Sequence, residues 1–236
     1  MADSAGKRYG VRGTGSLATE VTVSSPKWAG SYQISSNAHL TVWGRLPLAR
    51  LLYVANNQSL LEMMNWSSII DGFDTVVRYG KCRQLGTTAG VKTDYVFLQW
   101  TRSCIEEEQH NADKLRILKE QRPLVGLIRT PKHPDELRLW MSAHTVFDCC
   151  PLMVLPHEPR ERAAARLAEC GARKPYRPSS GTWVHEYMKP MLPPDVQIYT
   201  LGFGFYGSDH HDWEAERKYW QSEYDTGRVR RLEAEV

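Results

Sequence analysis

The sequence has no long apolar segment and no cysteine pattern. None of its 236 residues falls in a run of about 18 apolar residues, the length that spans a bilayer, and the basic N-terminus lacks the apolar run of a signal peptide. The five cysteines are odd in number and show no CxxC spacing, which predicts neither a disulfide framework nor a zinc site. We therefore expect a cytoplasmic protein with reduced thiols and no transmembrane segment, for which peripheral contact at the inner membrane stays open.

The chain also has little excess of one charge over the other. Thirty Lys and Arg residues against 27 Asp and Glu residues give a net charge of +3, with no long block of either sign. This balance argues against a dedicated nucleic-acid binder, so no nucleic-acid partner is expected. A local basic pocket for a small anion remains open.

The order of apolar runs divides the chain into two parts. Residues 1–45 are rich in Ser, Gly and Thr and are predicted to form an N-terminal extension with a strand pair at 20–24 and 39–43. Residues 46–236 are predicted to form one domain of alternating strands and helices. Six strands are expected, in LARLLYVA, DTVVRY, TDYVFLQ, PLVGLIRT, PLMVLP and VQIYTLGFG.

The segments between these strands have helical patterns. They are LLEMMNWSSII, CIEEEQHNADKLRILKEQ, PDELRLWMSA, EPRERAAARLAECG with Gly171 as its C-terminal cap, SSGTWVHEYMKPML, and a last helix from about His210. Such alternation predicts a Rossmann-like α/β fold with a doubly wound, mostly parallel sheet. Its ligand crevice is expected where strand ends meet helix starts.

Two helix starts carry polar residues suited to a phosphate. Residues 54–60 (VANNQSL) follow the first strand, and 177–182 (RPSSGT) follow a proline-rich joint. The unpaired N–H groups and the dipole of a helix start favour an anion. Both segments also fit ordinary Asn and Ser N-caps, and the first has neither GxGxxG nor GK[ST]. Ser180 does not lie in a GxSxG elbow, so a serine hydrolase is not expected.

A third candidate, Asp209-His210-His211-Asp212, follows the last strand. If Asp209 caps the last helix, both imidazoles lie in its first turn, where the dipole favours the neutral form that can accept a proton. Metal binding by this cluster is the alternative. It is disfavoured because the i, i+4 spacing of helical zinc sites is absent.

Taken in order, these segments resemble the motifs of the family 29 glycosyltransferases, the sialyltransferases. The family's VGNSGxL and IDxxDxVxRxN are similar to residues 54–60 and to 70–80 (IDGFDTVVRYG), where the Asp-x-x-Asp-x-Val-x-Arg spacing agrees fully. A GxKTT-like element is similar to 90–94 (GVKTD), and PS[ST]G followed by GFG is similar to 178–181 and 202–204. The family's final His-x4-Glu is similar to His211 and Glu216.

The resemblance implies a variant GT-A fold and the inverting, metal-independent transfer of a sialic acid from CMP-sialic acid to an acceptor sugar hydroxyl. His211 would be the base, and His210 would stand in for the family's missing second motif histidine. The other implied residues are donor contacts at Asn56, Asn57, Ser179, Ser180, Gly181 and Thr182, and supporting positions at Asp71, Asp74, Arg78 and Glu216.

The chain departs from the family pattern at several positions. Ala55 and Gln58 replace two glycines, Gly80 replaces an Asn, and the cysteine pair of the animal enzymes is missing, which fits a microbial origin and a reducing compartment. No metal or other cofactor is expected, because CMP leaves with one phosphate and the DxD loop of metal-dependent sites is not seen. The expected partners are a CMP-sugar donor and a glycan or glycolipid acceptor. Open alternatives are a CMP-Kdo transferase, another transferase, a non-catalytic nucleotide- or sugar-binding module and a metal-dependent hydrolase.

Overall fold

The computed structural model describes residues 49–98, 112–127, 150, 152–173 and 177–232. The predicted N-terminal extension with its strand pair, the predicted helix PDELRLWMSA and the first part of the helix predicted before residue 112 lie outside the described residues. The division at residue 45 therefore stays a prediction.

In the described part of the chain, seven strands form one sheet in the order β5-β4-β3-β2-β1-β6-β7, and every neighbouring pair is parallel. This confirms the predicted Rossmann-like α/β architecture and adds one short strand to the six expected. The strands are β1 Arg50–Val54, β2 Thr75–Tyr79, β3 Tyr95–Leu98, β4 Leu124–Leu127, β5 Leu152–Val154, β6 Gln197–Leu201 and β7 Val229–Arg231.

The central strands are buried on both faces. Every residue of β2 (TVVRY) and β3 (YVFL) is buried, as are four of the five residues of β1. A parallel sheet covered by helices on both sides favours such continuous runs of Val, Leu and aromatic residues over an alternating pattern. The apolar runs of the sequence thus become the middle layer of the core.

The strand order reverses at β1. From β1 the chain builds outward to β5, then returns to place β6 against the free side of β1, with Val54 opposite Leu201. In open α/β sheets the loops at such a reversal diverge and leave a crevice at the carboxyl ends of the strands. The loops after Val54 and Leu201 therefore flank the position where a ligand site is expected.

The described α-helices are α1 Gln58–Glu62, α2 Ser67–Asp71, α3 Ala112–Gln121, α4 Glu158–Glu169, α5 Ser180–Met188 and α6 Trp213–Asp225; a 3-10 turn, Lys189–Met191, extends α5. The single helix expected in LLEMMNWSSII was wrong. The chain is not helical between Glu62 and Ser67, where Trp66 donates from its indole to the Leu60 carbonyl and from its backbone to the Thr88 carbonyl. Gly171 has φ +90° and closes α4, as predicted. Within the described residues, no helix has both the length and the apolar character to cross a membrane.

Candidate active site

The two aspartates of the segment 70–80 (IDGFDTVVRYG) hold backbone segments at the starts of the strands. The carboxylate of Asp74 accepts the backbone N–H of Arg50 at 2.7 Å, which holds the start of β1 against the start of β2. The carboxylate of Asp71 accepts the backbone N–H groups of Val91 and Lys92 at 3.0 and 2.8 Å. Both residues precede β2, so they lie toward the amino ends of the strands and away from the crevice.

Arg78 is the third supporting residue and is fully buried. Its guanidinium donates from Nε to Thr93 Oγ1 at 3.0 Å and from Nη2 to the Ala89 carbonyl at 2.7 Å. Burial lowers its pKa to about 10, which leaves it cationic at neutral pH. The Asp-x-x-Asp-x-Val-x-Arg pattern thus clamps the loop between β2 and β3 onto the sheet, and the three side chains act as scaffold.

Asn56 and Asn57 follow β1, and their side chains form hydrogen bonds to two different parts of the chain. Asn56 donates from Nδ2 to the Tyr79 carbonyl at 2.8 Å and accepts the backbone N–H of Arg83 at 3.1 Å. These bonds leave the Asn56 amide with one further N–H. Asn57 is the N-cap of α1, where its Oδ1 accepts the backbone N–H of Leu60 at 3.3 Å. The ordinary cap expected as the alternative is present at Asn57.

The glycine-rich loop after β6 packs directly on this segment. Gly202 has φ +76°, and a Cβ there would lie 3.0 Å from the carbonyl oxygen of Ala55. A Cβ on Gly204 would collide with the side-chain nitrogen of Asn57. Phe205 takes a left-handed φ of +50°, which a non-glycine residue rarely adopts. Glycine at 202 and 204 therefore allows the two loops of the crevice to meet.

The start of α5 lies on the other side of that loop. Ser179 is the N-cap, and its Oγ accepts the backbone N–H of Thr182 at 3.3 Å. Gly181 faces the ring of Phe203, to which a Cβ at 181 would approach within 2.8 Å. The Phe203 ring in turn lies 4.8 Å from that of Trp220 on α6, so α5, α6 and the loop after β6 share one packed contact.

Glu216 joins the start of α5 to α6. It is 1% exposed and accepts hydrogen bonds from the Ser179 backbone at 2.6 Å, from Ser179 Oγ at 3.1 Å and from Thr182 Oγ1. Burial raises the pKa of this carboxyl above its ordinary value, although the hydrogen bonds from Thr182 and Ser179 and the charge of His211 oppose the shift. The supporting role expected for Glu216 is therefore to hold Ser179 and Thr182 in place.

The predicted cap at Asp209 was wrong. Helix α6 begins at Trp213, and its N-cap is Asp212, whose Oδ1 accepts the backbone N–H of Ala215 at 3.1 Å. These backbone hydrogen bonds, from Ala215 and from Arg173, lower the pKa of Asp212. His210 and His211 precede the helix, so neither imidazole lies in its first turn as expected.

A different contact orients His211. Its Nδ1 lies 2.7 Å from the carbonyl oxygen of Arg177, two residues before Ser179. A carbonyl only accepts, so we assign the ring proton to Nδ1, which leaves the lone pair of the neutral ring on Nε2. The ring also packs on Trp213, with centroids 4.9 Å apart. His210 is exposed, and its carbonyl accepts the backbone N–H of Arg177 at 2.9 Å.

These contacts link the predicted site residues into one region. From β1 to α6 they run from Asn57 to Gly204, from Phe203 to Gly181, from Ser179 to Glu216 and from Arg177 to His211. Asn56, Asn57, Ser179, Ser180, Gly181, Thr182, His210 and His211 all belong to this region at the carboxyl edge of β1 and β6. Asp71 and Asp74 do not, because they lie toward the opposite edge.

Sequence reasoning missed three residues near this region. Tyr206 is 63% exposed and donates its hydroxyl to Asn57 Oδ1 at 2.8 Å, and its place in a glycine-rich loop after a strand was the available signal. The second missed residue is His185. It is fully buried on α5, with Nε2 lying 3.2 Å from Glu223 on α6. No sequence pattern pairs these two positions.

A metal site at residues 209–212 was the alternative expectation for this segment. In the part of the chain that the structure describes, no group of three or more His, Cys, Asp and Glu side chains is arranged to hold a metal ion. Within the sequence 209–212, the Asp212 carboxylate caps α6 and His211 Nδ1 faces a carbonyl oxygen.

Comparison with known proteins gives a likeness in structure. No family model and no curated protein sequence matches the chain. A mammalian sialyltransferase superposes with a TM-score of 0.54 at 15% identity, over 78% of this chain and 69% of the other. The α-2,3-sialyltransferase Cst-I of Campylobacter jejuni superposes with a TM-score of 0.52 at 14% identity, over 80% and 77% of the two chains.

CstII of the same bacterium, in complex with cytidine-5'-monophosphate, superposes with a TM-score of 0.50 at 15% identity, over 80% of this chain and 81% of CstII. At such low identity the shared feature is the arrangement of strands and helices. That arrangement is the one implied by the ordered motifs of residues 54–216. The chain has the fold of the sialyltransferases.

Proposed function

We propose that this chain is a glycosyltransferase that transfers a sialic acid from CMP-sialic acid to an acceptor sugar hydroxyl, with inversion and without a metal. Three lines of support converge on it: the fold, the ordered motifs and the gathering of eight candidate residues at the switch point of the sheet. The cytidine monophosphate complex of CstII adds that a protein of this fold binds the corresponding leaving group.

The observation that carries the proposal is the contact between His211 and Arg177. With Nδ1 held at 2.7 Å from a carbonyl oxygen, Nε2 is the atom that accepts a proton. The acceptor hydroxyl gives its proton to Nε2 as its oxygen bonds to the anomeric carbon of the sialic acid. The bond from that carbon to the CMP phosphate oxygen breaks on the opposite face and leaves its electron pair on CMP.

The start of α5 is the proposed cradle for the anionic groups of the donor. Helix α5 has nine residues, and the backbone N–H groups of its first turn can donate to the CMP phosphate or to the sugar carboxylate. The side chains of Ser179 and Thr182 already bind Glu216, so in this proposal they shape the cradle. A single phosphate met by such donors has no need of Mg²⁺, which is the basis for expecting no metal.

His210 and the two asparagines complete the proposed donor site. His210 is exposed beside the base and is assigned to the departing phosphate. The N–H that Asn56 keeps, together with the side-chain amide of Asn57, is assigned to the nucleotide side. The proposed acceptor is a glycan or glycolipid. A cytoplasmic location with peripheral membrane contact belongs to the same proposal and agrees with Cys82, Cys150 and Cys170, which in the described part of the chain form no disulfide.

The test is a donor comparison. The chain is incubated separately with CMP-Neu5Ac and CMP-Kdo, with and without EDTA, and the release of CMP is measured along with the anomeric configuration of the product. We expect release from CMP-Neu5Ac, unchanged by EDTA. Binding of CMP without release from either donor, or release that EDTA abolishes, would overturn the proposal.

A further inference from the structure

Trp220 lies in the middle of α6, and its side chain is fully buried. An indole N–H that is removed from water usually donates to an acceptor in the protein. Here Nε1 of Trp220 donates to Oγ1 of Thr182 at 3.2 Å, across 38 positions of the chain. Thr182 belongs to the first turn of α5, so this buried hydrogen bond ends at the proposed cradle for the donor.

The hydroxyl of Thr182 connects Trp220 to Glu216. A hydroxyl donates one proton and accepts through its lone pairs. Thr182 donates its proton to the Glu216 carboxylate and accepts the proton of the indole. Thr182 is itself fully buried, so solvent does not compete for either contact. The Trp220 N–H therefore favours the rotamer of Thr182 in which the hydroxyl also reaches Glu216.

Glu216 and Trp220 together hold the start of α5. They are four positions apart on α6, so their side chains lie on the same face of that helix. Glu216 accepts the backbone N–H of Ser179 at 2.6 Å and its hydroxyl at 3.1 Å, whereas the Thr182 oxygen lies farther from that hydroxyl, at 3.4 Å. The backbone N–H of Thr182 closes the cap on Ser179. Both residues of the cap are thus attached to α6.

The ring of Trp220 contacts the same turn by a second route. It packs against Phe203, with ring centroids 4.8 Å apart. Phe203 follows β6 and lies against Gly181, where a Cβ would approach its ring within 2.8 Å. Trp220 therefore contacts Thr182 directly and Gly181 through Phe203. Two adjacent residues in the first turn of α5 depend on one buried side chain of α6.

We propose that Trp220 is a positioning residue for the donor. It holds the first turn of α5 in the geometry in which the backbone N–H groups meet the CMP phosphate or the sugar carboxylate. Hydrogen-bond donors that are fixed in advance bind an anion without the cost of ordering them at that moment. The inference rests on the proposed transferase function and deepens it, because Trp220 is buried and acts on the donor only through Thr182 and Phe203.

The first test needs no ligand. Amide hydrogen exchange at Ser179 and Thr182 is measured by NMR for the wild type, Trp220→Phe and Tyr219→Phe. Trp220→Phe keeps an aromatic ring and removes the indole N–H. Tyr219→Phe is the matched control, because Tyr219 is also fully buried on α6 and donates its hydroxyl to Glu186 of α5 at 2.6 Å.

Both substitutions remove one buried hydrogen bond between α6 and α5, so a general loss of stability affects the two variants alike. We expect the Ser179 and Thr182 amides to exchange about 3- to 10-fold faster in Trp220→Phe than in Tyr219→Phe, because only the first loses a contact to the cap. Equal exchange rates in the two variants would overturn the proposal.

The second test measures CMP affinity in a double-mutant cycle of Trp220→Phe and Thr182→Val. Valine keeps the shape of threonine without the hydroxyl, so it removes the same hydrogen bond from the other end and serves as the test if Trp220→Phe does not fold. We expect the Kd for CMP to rise about 3- to 10-fold in Trp220→Phe, at least as much in Thr182→Val, and no further in the double variant. Tyr219→Phe should retain the wild-type Kd.

Three outcomes of the titration would overturn the proposal. They are a double variant in which the two rises in Kd multiply, an equal rise in Tyr219→Phe, and a wild-type Kd in Thr182→Val. Failure of the proposed function gives a different result. A wild-type chain that does not bind CMP would contradict the transferase, whereas exchange rates measured without CMP still decide whether Trp220 holds the start of α5.

Discussion

The hydroxyl of Tyr206 donates to Oδ1 of Asn57 at 2.8 Å, although 149 positions separate the two residues. Asn57 Oδ1 also caps α1, so one oxygen atom accepts hydrogen bonds from the helix start and from the loop after β6. The two sides of the proposed crevice are thereby joined at its outer edge, where Tyr206 is largely exposed.

Replacing Tyr206 with Phe removes this connection and keeps the ring. We expect CMP affinity to fall about 2- to 10-fold, since a hydrogen bond of this kind contributes about 0.5–1.5 kcal/mol. The free energy of unfolding should change little, because the hydroxyl lies at the surface. Titration with CMP and urea unfolding measure the two effects. Tyr199→Phe serves as the matched control, and an equal loss of CMP affinity in both variants would contradict the role of Tyr206.

His211→Ala tests the base directly. Turnover of CMP-Neu5Ac is expected to fall about 10²- to 10⁴-fold, the range for loss of a general base, while the Kd for CMP stays nearly unchanged. His157→Ala, at an exposed position before α4, should retain full activity. Steady-state kinetics and CMP titration separate the two effects. A parallel loss of turnover and CMP affinity in His211→Ala would count against its assignment as the base.

Glu216→Gln tests the buried acceptor at the start of α5. The amide can accept on one side only, so its NH₂ group would face Ser179 or Thr182 donors. We expect a loss of about 1–3 kcal/mol in the free energy of unfolding, together with weaker CMP binding. Urea unfolding measures the first and titration the second.

Glu214→Gln is the control for this prediction. It lies on the same helix, but its carboxylate is exposed and pairs with two surface cations, Arg217 and Lys218. Such a change should alter the free energy of unfolding by less than about 0.5 kcal/mol. Similar losses in both variants would show that Glu216 has no special structural role.

The lowered pKa of Glu223 predicts that the stability of the fold depends on pH. Burial alone would raise its pKa, but hydrogen bonds from His185 and Lys189 outweigh this effect and lower it to about 2. A carboxyl whose folded pKa lies below its unfolded value stabilises the fold above the unfolded pKa of about 4.5, and this stabilisation is lost as pH falls towards 2. We expect Glu223→Gln to flatten the decrease in unfolding free energy between pH 6 and pH 3, measured by urea titration. An unchanged slope would contradict the assignment.

The sequence was sufficient for six of the seven strands but not for the details of the helix starts. Apolar runs such as YVFL are buried on both faces whatever their partners, so their strands could be predicted. Strand β7 (VRR) has one buried residue, Val229, and exists because its backbone pairs with β6, a tertiary effect without a local pattern. The true cap of α6 was missed because Asp209 and Asp212 are chemically equivalent at the level of sequence.

The candidate site also combines residues that could be selected from the sequence with contacts that depend on tertiary packing. Asn57, Ser179 and His211 carry the residue types that caps and proton transfer need, so they could be selected from the sequence together with their family spacing. The pairing of His185 with Glu223 depends on how α5 packs against α6, across 38 positions, and neither residue has a spacing that indicates the other. The Arg177 carbonyl that orients His211 belongs to the backbone, so the identity of residue 177 does not indicate this contact.

The late return of β6 to β1 has a consequence for biosynthesis. The crevice needs both Val54 and Leu201 in place, so the ribosome must synthesise the chain through β6 before the proposed nucleotide site can form. Pairing strands so distant in sequence is slow, because the intervening segment loses entropy before the contact forms. A nascent chain truncated before residue 197 would contain β1 to β5 and no cleft, so we expect CMP binding only after β6 has paired with β1.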